Sequence, residues 1–180
     1  MRRGAAVGAV TIVVALTLGL VACGGDSDGR SDYVDALADA AKTENEATPA
    51  ATRRCLAEAA VDAVGVDKLK EAATPDEIRD AGTTELALIG VKVTEADGED
   101  FYERYNECVD IREALIAGAV GSADISPDAK TCLQTELSDD LIRRYVVKAF
   151  TEGTAAALDD TALVGEIEAA FTACTATPEP

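Results

Sequence analysis

"FYERYNEC" (residues 101–108) and "IEAAFTAC" (residues 167–174) decide how the chain is organised. Each sets a bulky apolar residue seven positions before a cysteine, Phe101 before Cys108 and Ile167 before Cys174. Each sets an aromatic ring three positions before it, Tyr105 and Phe171. These offsets fall on one face of an α-helix, so each stretch is expected to be a helix that closes on a cysteine. The other two cysteines of the main body echo each other as well. "TPAATRRCL" (residues 48–56) and "SPDAKTCL" (residues 126–133) both read Ser or Thr, then Pro, then a cysteine followed by Leu. Further upstream, "YVDALADA" (residues 33–40) answers "IREALIAG" (residues 111–118).

The chain is therefore written twice, as unit one over about residues 32–108 and unit two over about 109–174. Each unit has a lead helix, a cysteine-bearing helix, variable matter and a closing helix. Two copies argue for a pseudo-symmetric bundle and not a solenoid, which needs more repeats. The expected class is all-α, a small helical bundle built from two weakly similar, disulfide-stapled units. Phe101, Tyr105, Cys108, Val109, Leu115, Ile116 and Ala119 fall in one stripe at helical spacing, so the closing helix of unit one is expected to run into the lead helix of unit two.

Helix starts are marked by capping chemistry. Thr48-Pro49 and Ser126-Pro127 read as an N-cap followed by Pro at the first helical position. "TPDE" (residues 74–77) reads as a capping box containing Pro. Ser138-Asp139-Asp140 begins another helix, with acids at the positive end of its dipole and with Leu141, Ile142, Tyr145, Val146, Ala149 and Phe150 on one face. A last helix is expected after Asp160, with Leu163, Val164, Ile167, Phe171 and Cys174 on one face. Gly65, Gly82, Gly121 and Gly153 read as stops. "ELALIGVKV" (residues 85–93) fits a helix or, beyond Gly90, a short strand.

The N-terminus is of another character. Arg2 and Arg3 precede an uncharged run over residues 5–22, which closes on "LVAC", Leu20, Val21, Ala22 and Cys23. Positive start, apolar core and small residues at a cut site are the parts of a secretory signal. Here the small residues stand before a cysteine, and the segment resembles the lipobox signal of bacterial lipoproteins. That resemblance covers about the first 30 residues. It implies that residues 1–22 are a signal peptide, that Cys23 carries lipid on its thiol, and that Cys23 becomes the N-terminus. It places the chain at the cell membrane, lipid-anchored on the extracytoplasmic face. The competing reading is an uncleaved anchor, which needs roughly 20 apolar residues to span a bilayer. Residues 23–31 then form the lipidated cysteine and a flexible Gly/Ser tether. Asp26 and Asp28 lie in it, but Gly29 and Leu37 fall where a calcium loop has no use for them. Residues 175–180 read as a disordered tail.

After Cys23 the cysteines are Cys55, Cys108, Cys132 and Cys174, an even number in an exported chain, which implies disulfides. None of these four lies closer than 24 residues to the next, whereas thiolate zinc sites pair cysteines two to four apart. If each unit carries its own staple, the pairs are Cys55–Cys108 and Cys132–Cys174. The rival, Cys108 with Cys132 across a hairpin turning at about residues 121–126, would leave them about 9 Å out of register at 1.5 Å per residue. That is too far for a disulfide unless bending or fraying at Gly118 or Gly121 closes the gap, so the sequence alone leaves the rival open.

Composition limits the chemistry. The net charge is −18, and losing Arg2 and Arg3 with the signal makes it −20. This argues against nucleic acid, whose binding needs basic residues, and favours solubility and cationic partners. There is no histidine, which removes Ser-His-Asp and Cys-His catalysis and the commonest transition-metal ligand. No cofactor or metal site is expected. Four Tyr, three Phe and no Trp argue against stacking platforms for sugars or bases. Asp139-Asp140 and Asp159-Asp160 are expected to cap helices. "EADGED" (residues 95–100) is the densest acidic patch beside aromatics and is expected to be solvated. Arg53-Arg54 and Arg143-Arg144 are expected in ion pairs, with a carboxylate ligand as the alternative.

Three functions fit. The first is a non-enzymatic domain that binds another envelope protein. The second is a carrier of a small apolar ligand in the bundle, where small residues on facing helices permit a cavity. The third and weakest is a carboxylate-based hydrolase, which would need a buried acid.

Overall fold

The computed structural model describes residues 28–120 and 125–175. Cys23, the signal segment, residues 23–27 of the tether, Gly121 and residues 176–180 of the expected tail lie outside the described residues. What is described is all-helical: α1 (Arg30–Glu44), α2 (Ala50–Val64), α3 (Val66–Ala72), α4 (Pro75–Ala81), a single 3-10 turn (Leu86–Ile89), α5 (Glu95–Cys108), α6 (Ile111–Val120), α7 (Pro127–Glu136), α8 (Asp139–Glu152), α9 (Thr154–Asp159) and α10 (Thr161–Thr175).

The capping residues set these boundaries. Thr74 Oγ1 accepts from the Glu77 backbone N–H at 3.3 Å, and the Glu77 carboxylate accepts from the Thr74 N–H at 2.8 Å, a complete capping box for α4. Thr94 and Asp97 form the same reciprocal pair at the start of α5. Ser126 accepts from Ala129 N at 3.1 Å, Ser138 from Leu141 N at 3.2 Å and Asp160 from Leu163 N at 3.1 Å, which start α7, α8 and α10. Each such cap is worth about 1 kcal/mol over alanine.

Three boundaries differ from expectation. Thr48 does not cap α2: the flanking residue is Pro49, at φ −55 and ψ 141, with no side-chain cap. Thr48 instead lies in a turn, its N–H bonded to Asn45 O at 3.2 Å and its carbonyl taken by the Arg53 guanidinium. The closing helix of unit one does not continue into α6. Val109 is extended, at φ −148 and ψ 150, and Asp110 then caps a new helix by accepting from Glu113 N at 3.0 Å. The break leaves the apolar stripe inside all the same: Phe101, Ile111 and Ile116 are buried, with Tyr105, Cys108, Val109 and Leu115 packed on the core. At the tether end, α1 begins at Arg30, inside the segment expected to be flexible, where the Arg30 guanidinium grips Asp62 through Nε at 2.7 Å and Nη2 at 2.8 Å. The ambiguous residues 85–93 form the 3-10 turn and then an irregular extended run. Gly90 at φ 84 reverses the chain, and Val91 N donates to Leu86 O at 3.0 Å.

The two units keep the same order of packing. Lead helix meets cysteine helix (α1 with α2, α6 with α7), and cysteine helix meets closing helix (α2 with α5, α7 with α10). They are not separate bodies. α5 of unit one packs on α8 of unit two, and one apolar cluster runs from Val34 and Leu37 on α1 through Phe101 to Leu141 and Leu163. The seam depends on Gly98. A Cβ there would lie 2.9 Å from Thr151 Cγ2 and 3.0 Å from Val147 Cγ1, so only glycine lets α5 approach α8 this closely. Among the described residues no helix is long and apolar enough to cross a membrane.

Candidate functional site

The structure joins Cys55 on α2 to Cys108 at the end of α5, with Cα atoms 5.7 Å apart, and Cys132 on α7 to Cys174 on α10, 5.5 Å apart. This is the unit-by-unit pairing. It fixes α2 against α5 and α7 against α10.

Most of the charged residues singled out in the sequence lie apart and hold helices together. Arg54 pairs with Asp35 at 2.7 Å and with Glu58 at 3.1 Å. Arg144 pairs with Asp140 at 3.0 Å and also with Glu166, and Arg143 pairs with Glu99. The acidic run over residues 95–100 is the first turn and a half of α5. Asp97 accepts from Lys68 Nζ at 2.7 Å and Asp100 from Arg104 at 2.9 Å. Asp159 ends α9 and Asp160 caps α10. Arg53 is different. It meets no carboxylate within ion-pairing distance among the described residues, whereas every other arginine there does. Its one side-chain hydrogen bond among the described residues is the donation to the Thr48 carbonyl.

Arg53 stands on the wall of a partly open cleft of about 360 Å³, between α1, α2, α5 and α8. The floor is apolar, with Leu37, Leu56, Ala57, Ala60, Leu86 and Val146. Four of the chain's seven aromatic rings converge on it: Phe101 and Tyr105 from α5, Tyr145 and Phe150 from α8. Phe101 and Phe150 stack with centroids 3.9 Å apart and planes 7° from parallel, and Phe101 meets Tyr105 edge-on at 5.3 Å. Burial raises the pKa of the Tyr105 phenol, with a smaller contribution from Tyr145. Neither phenol hydroxyl has a hydrogen-bond partner among the described residues, and neither is cut off from solvent. Both remain able to donate to a ligand.

The two carboxylates at the rim are engaged elsewhere. Glu44 accepts from Thr83 Oγ1 at 2.9 Å, Thr84 N at 2.8 Å and Thr84 Oγ1 at 2.7 Å. Glu85 accepts from Thr154 N at 3.4 Å, at the start of α9.

A second apolar groove of about 390 Å³ lies in unit two, between α6, α8, α9 and α10. Leu115, Leu141, Leu158, Ile167 and Phe171 line it, and Tyr145 is its one polar side chain and is shared with the first cleft. The core holds no buried charged or polar residue among the described residues, and no group of His, Cys, Asp and Glu there is placed to hold a metal.

No known family model matches the chain, and comparison with curated proteins and with solved structures found no match.

Sequence reasoning missed the cleft. The scarcity of aromatics argued against a stacking surface, yet the few present are gathered. Phe101 and Tyr105 shared a stripe with the cysteine, and Tyr145 and Phe150 shared the face of another helix. Nothing in the sequence shows that these two faces meet.

Proposed function

We propose that the protein is a membrane-anchored extracytoplasmic lipoprotein, held by lipid on Cys23, whose helical domain is a non-enzymatic binding module for a small apolar ligand. The anchor rests on "LVAC" after a charged start and an apolar run. The ligand rests on one observation: four of seven aromatic rings line a cleft whose 360 Å³ falls in the range of small-molecule sites. Two walls of the cleft, α2 and α5, are tied by Cys55–Cys108, so its shape is held without the ligand and little ordering opposes binding. A carrier is favoured over an envelope-protein docking domain because large exposed apolar side chains are few among the described residues, Leu88 at 71% and Leu158 at 58%. A protein interface would need a contiguous apolar patch. A hydrolase is the least supported, since the acids with shifted pKa values are held in their ionised form. Glu77, Asp97, Glu113 and Glu166 all have pKa values below the ordinary ones, and each accepts a hydrogen bond that favours the charged carboxylate.

The test is native mass spectrometry of protein extracted gently from its own membrane. The protein is expected to lack residues 1–22, to carry acyl mass on Cys23, and to hold one small molecule that is lost on solvent extraction. Ala149 lines the cleft from α8, and Ala149→Phe, which fills it, is expected to abolish the last of these. A full-length, unlipidated chain would overturn the anchor. A ligand that survives Ala149→Phe would overturn the cleft.

A further inference from the structure

We propose that the ligand of the aromatic cleft is an amphipathic carboxylate with a flat, ring-bearing body, its body lying on Phe101, Tyr105, Tyr145 and Phe150 and its carboxylate taken by Arg53. The proposal rests on the ligand-binding reading of the same cleft and adds the chemistry of the ligand. Three observations lead to it.

The first is the unmatched cation. In a chain with 34 acidic and 16 basic residues, each arginine has an abundance of carboxylates to pair with. Seven of the eight arginines among the described residues do so. Arg53 does not, although Glu44 and Glu85 line the same cleft. Glu44 is taken by Thr83 and Thr84, and Glu85 turns one oxygen to Thr154 N. The Arg53 guanidinium therefore keeps free donors at the wall of an apolar cleft, and a planar guanidinium matches a carboxylate with two parallel hydrogen bonds.

The second is the balance of donors and acceptors. Arg53 and the two phenol hydroxyls can all donate, while Glu44 is taken by Thr83 and Thr84 and Glu85 accepts through Oε1 alone, from Thr154 N at 3.4 Å. Three donors against one open carboxylate oxygen favour a ligand that supplies acceptors. A cation is the rival occupant, because aromatic rings attract it and the chain is strongly acidic. Two things count against it. Phe101 and Phe150 turn a face to each other at 3.9 Å, which leaves less ring face open to a cation. The acid excess acts over a distance that salt screens beyond about 8 Å, whereas Arg53 acts at contact.

The third is the floor. Flat rings prefer offset or edge-to-face neighbours, and Tyr105 and Tyr145 line the cleft beside the stacked Phe101–Phe150 pair, whose edges serve the second kind of contact.

The experiment is calorimetric titration of the full-length anchored protein in lipid nanodiscs, with empty nanodiscs as the blank. Three probes share a body: naphthoate, neutral naphthamide and naphthylmethyl-trimethylammonium. Naphthoate is expected to bind most tightly. Arg53→Gln is expected to weaken naphthoate by about tenfold to a hundredfold, the scale of a hydrogen bond to a charged group, and to leave naphthamide unchanged. Arg53→Lys, which keeps the charge and loses the fork, is expected to fall between. Arg54→Gln, one residue away and already paired with Asp35 and Glu58, is expected to change nothing. Naphthoate binding indifferent to Arg53→Gln, or tighter binding of the cationic probe, would overturn the carboxylate and leave the apolar cleft standing. If none of the three binds, the ligand-binding function falls and the proposal with it.

Discussion

Gly98 shows how one residue decides whether two units become one molecule. It sits within the acidic run "EADGED", where the sequence offers no reason for it beyond flexibility. In the fold it is buried on α5 against Thr151 and Val147 of α8. Alanine is the better helix former by about 1 kcal/mol, so on an isolated helix Gly98→Ala would stabilise. Here its Cβ would meet side chains at 2.9 and 3.0 Å, and overpacking of this kind costs about 1–3 kcal/mol. Urea unfolding of Gly98→Ala is therefore expected to show a net loss of stability, with the slope unchanged. A gain would mean that α5 and α8 separate freely and that the seam is not tightly packed. Gly153 is set by a different demand. Its φ of 95 is a backbone conformation that side chains rarely adopt, and Glu85 Oε2 would lie 3.1 Å from an added Cβ.

At the scale of elements, the start of α5 combines a cap with a tie between helices. Burial on its own would raise the Asp97 pKa. The Lys68 ammonium at 2.7 Å and the Thr94 N–H and hydroxyl at 2.7 and 2.8 Å outweigh it and hold the carboxyl below its ordinary value. A carboxyl with a lower pKa folded than unfolded binds fewer protons in the native state. Its contribution is full above the unfolded pKa, near 4, and is lost as the pH falls through the folded one. Asp97→Asn is thus expected to destabilise at about pH 7 and to approach the parent protein at about pH 3, measured by urea midpoints at both values. An equal gap at the two would show that the charge of Asp97 contributes nothing. Helix starts of this kind were the most legible part of the sequence. Thr74, Ser126, Ser138 and Asp160 cap where their spacing places them, because the bond is local and needs no knowledge of the fold. Thr48 failed because a turn from Asn45 competes for the same residues. The break at Val109-Asp110 was hidden because the apolar stripe continues across it. The short α9 was passed over because six residues show too little periodicity to read. The cleft was legible only as separate faces: Arg53 appeared as half of a basic pair, and its isolation depends on which carboxylates the fold brings near its neighbour.

At the scale of the whole molecule, the two disulfides close loops of similar size, 53 and 42 residues. In the chain-entropy model each stabilises by about 4 kcal/mol, a large part of the roughly 5–15 kcal/mol of a whole domain. The equality is in the unfolded state, and the consequences of removal differ because the helices they join are held differently. α2 buries Ala57, Ala60, Val61 and Val64, and α5 buries Phe101 at the seam with α8. α7 buries Leu133 alone among its described residues, and α10 buries Leu163 and Ala170. Without Cys132–Cys174, little apolar area keeps α7 and α10 in place, and this part of the molecule opens at low cost. Without Cys55–Cys108, the element pair that walls the aromatic cleft loosens, and the shared core loosens with it. Hydrogen exchange on the two double variants separates the cases. Cys132→Ala/Cys174→Ala is expected to speed exchange in α7 and α10 while α1, α2 and α5 keep their protection. Cys55→Ala/Cys108→Ala is expected to speed exchange throughout. If the first variant raises exchange equally in every helix, unit two has no independent opening, and the staple of α7 to α10 stabilises the entire bundle as a single cooperative body.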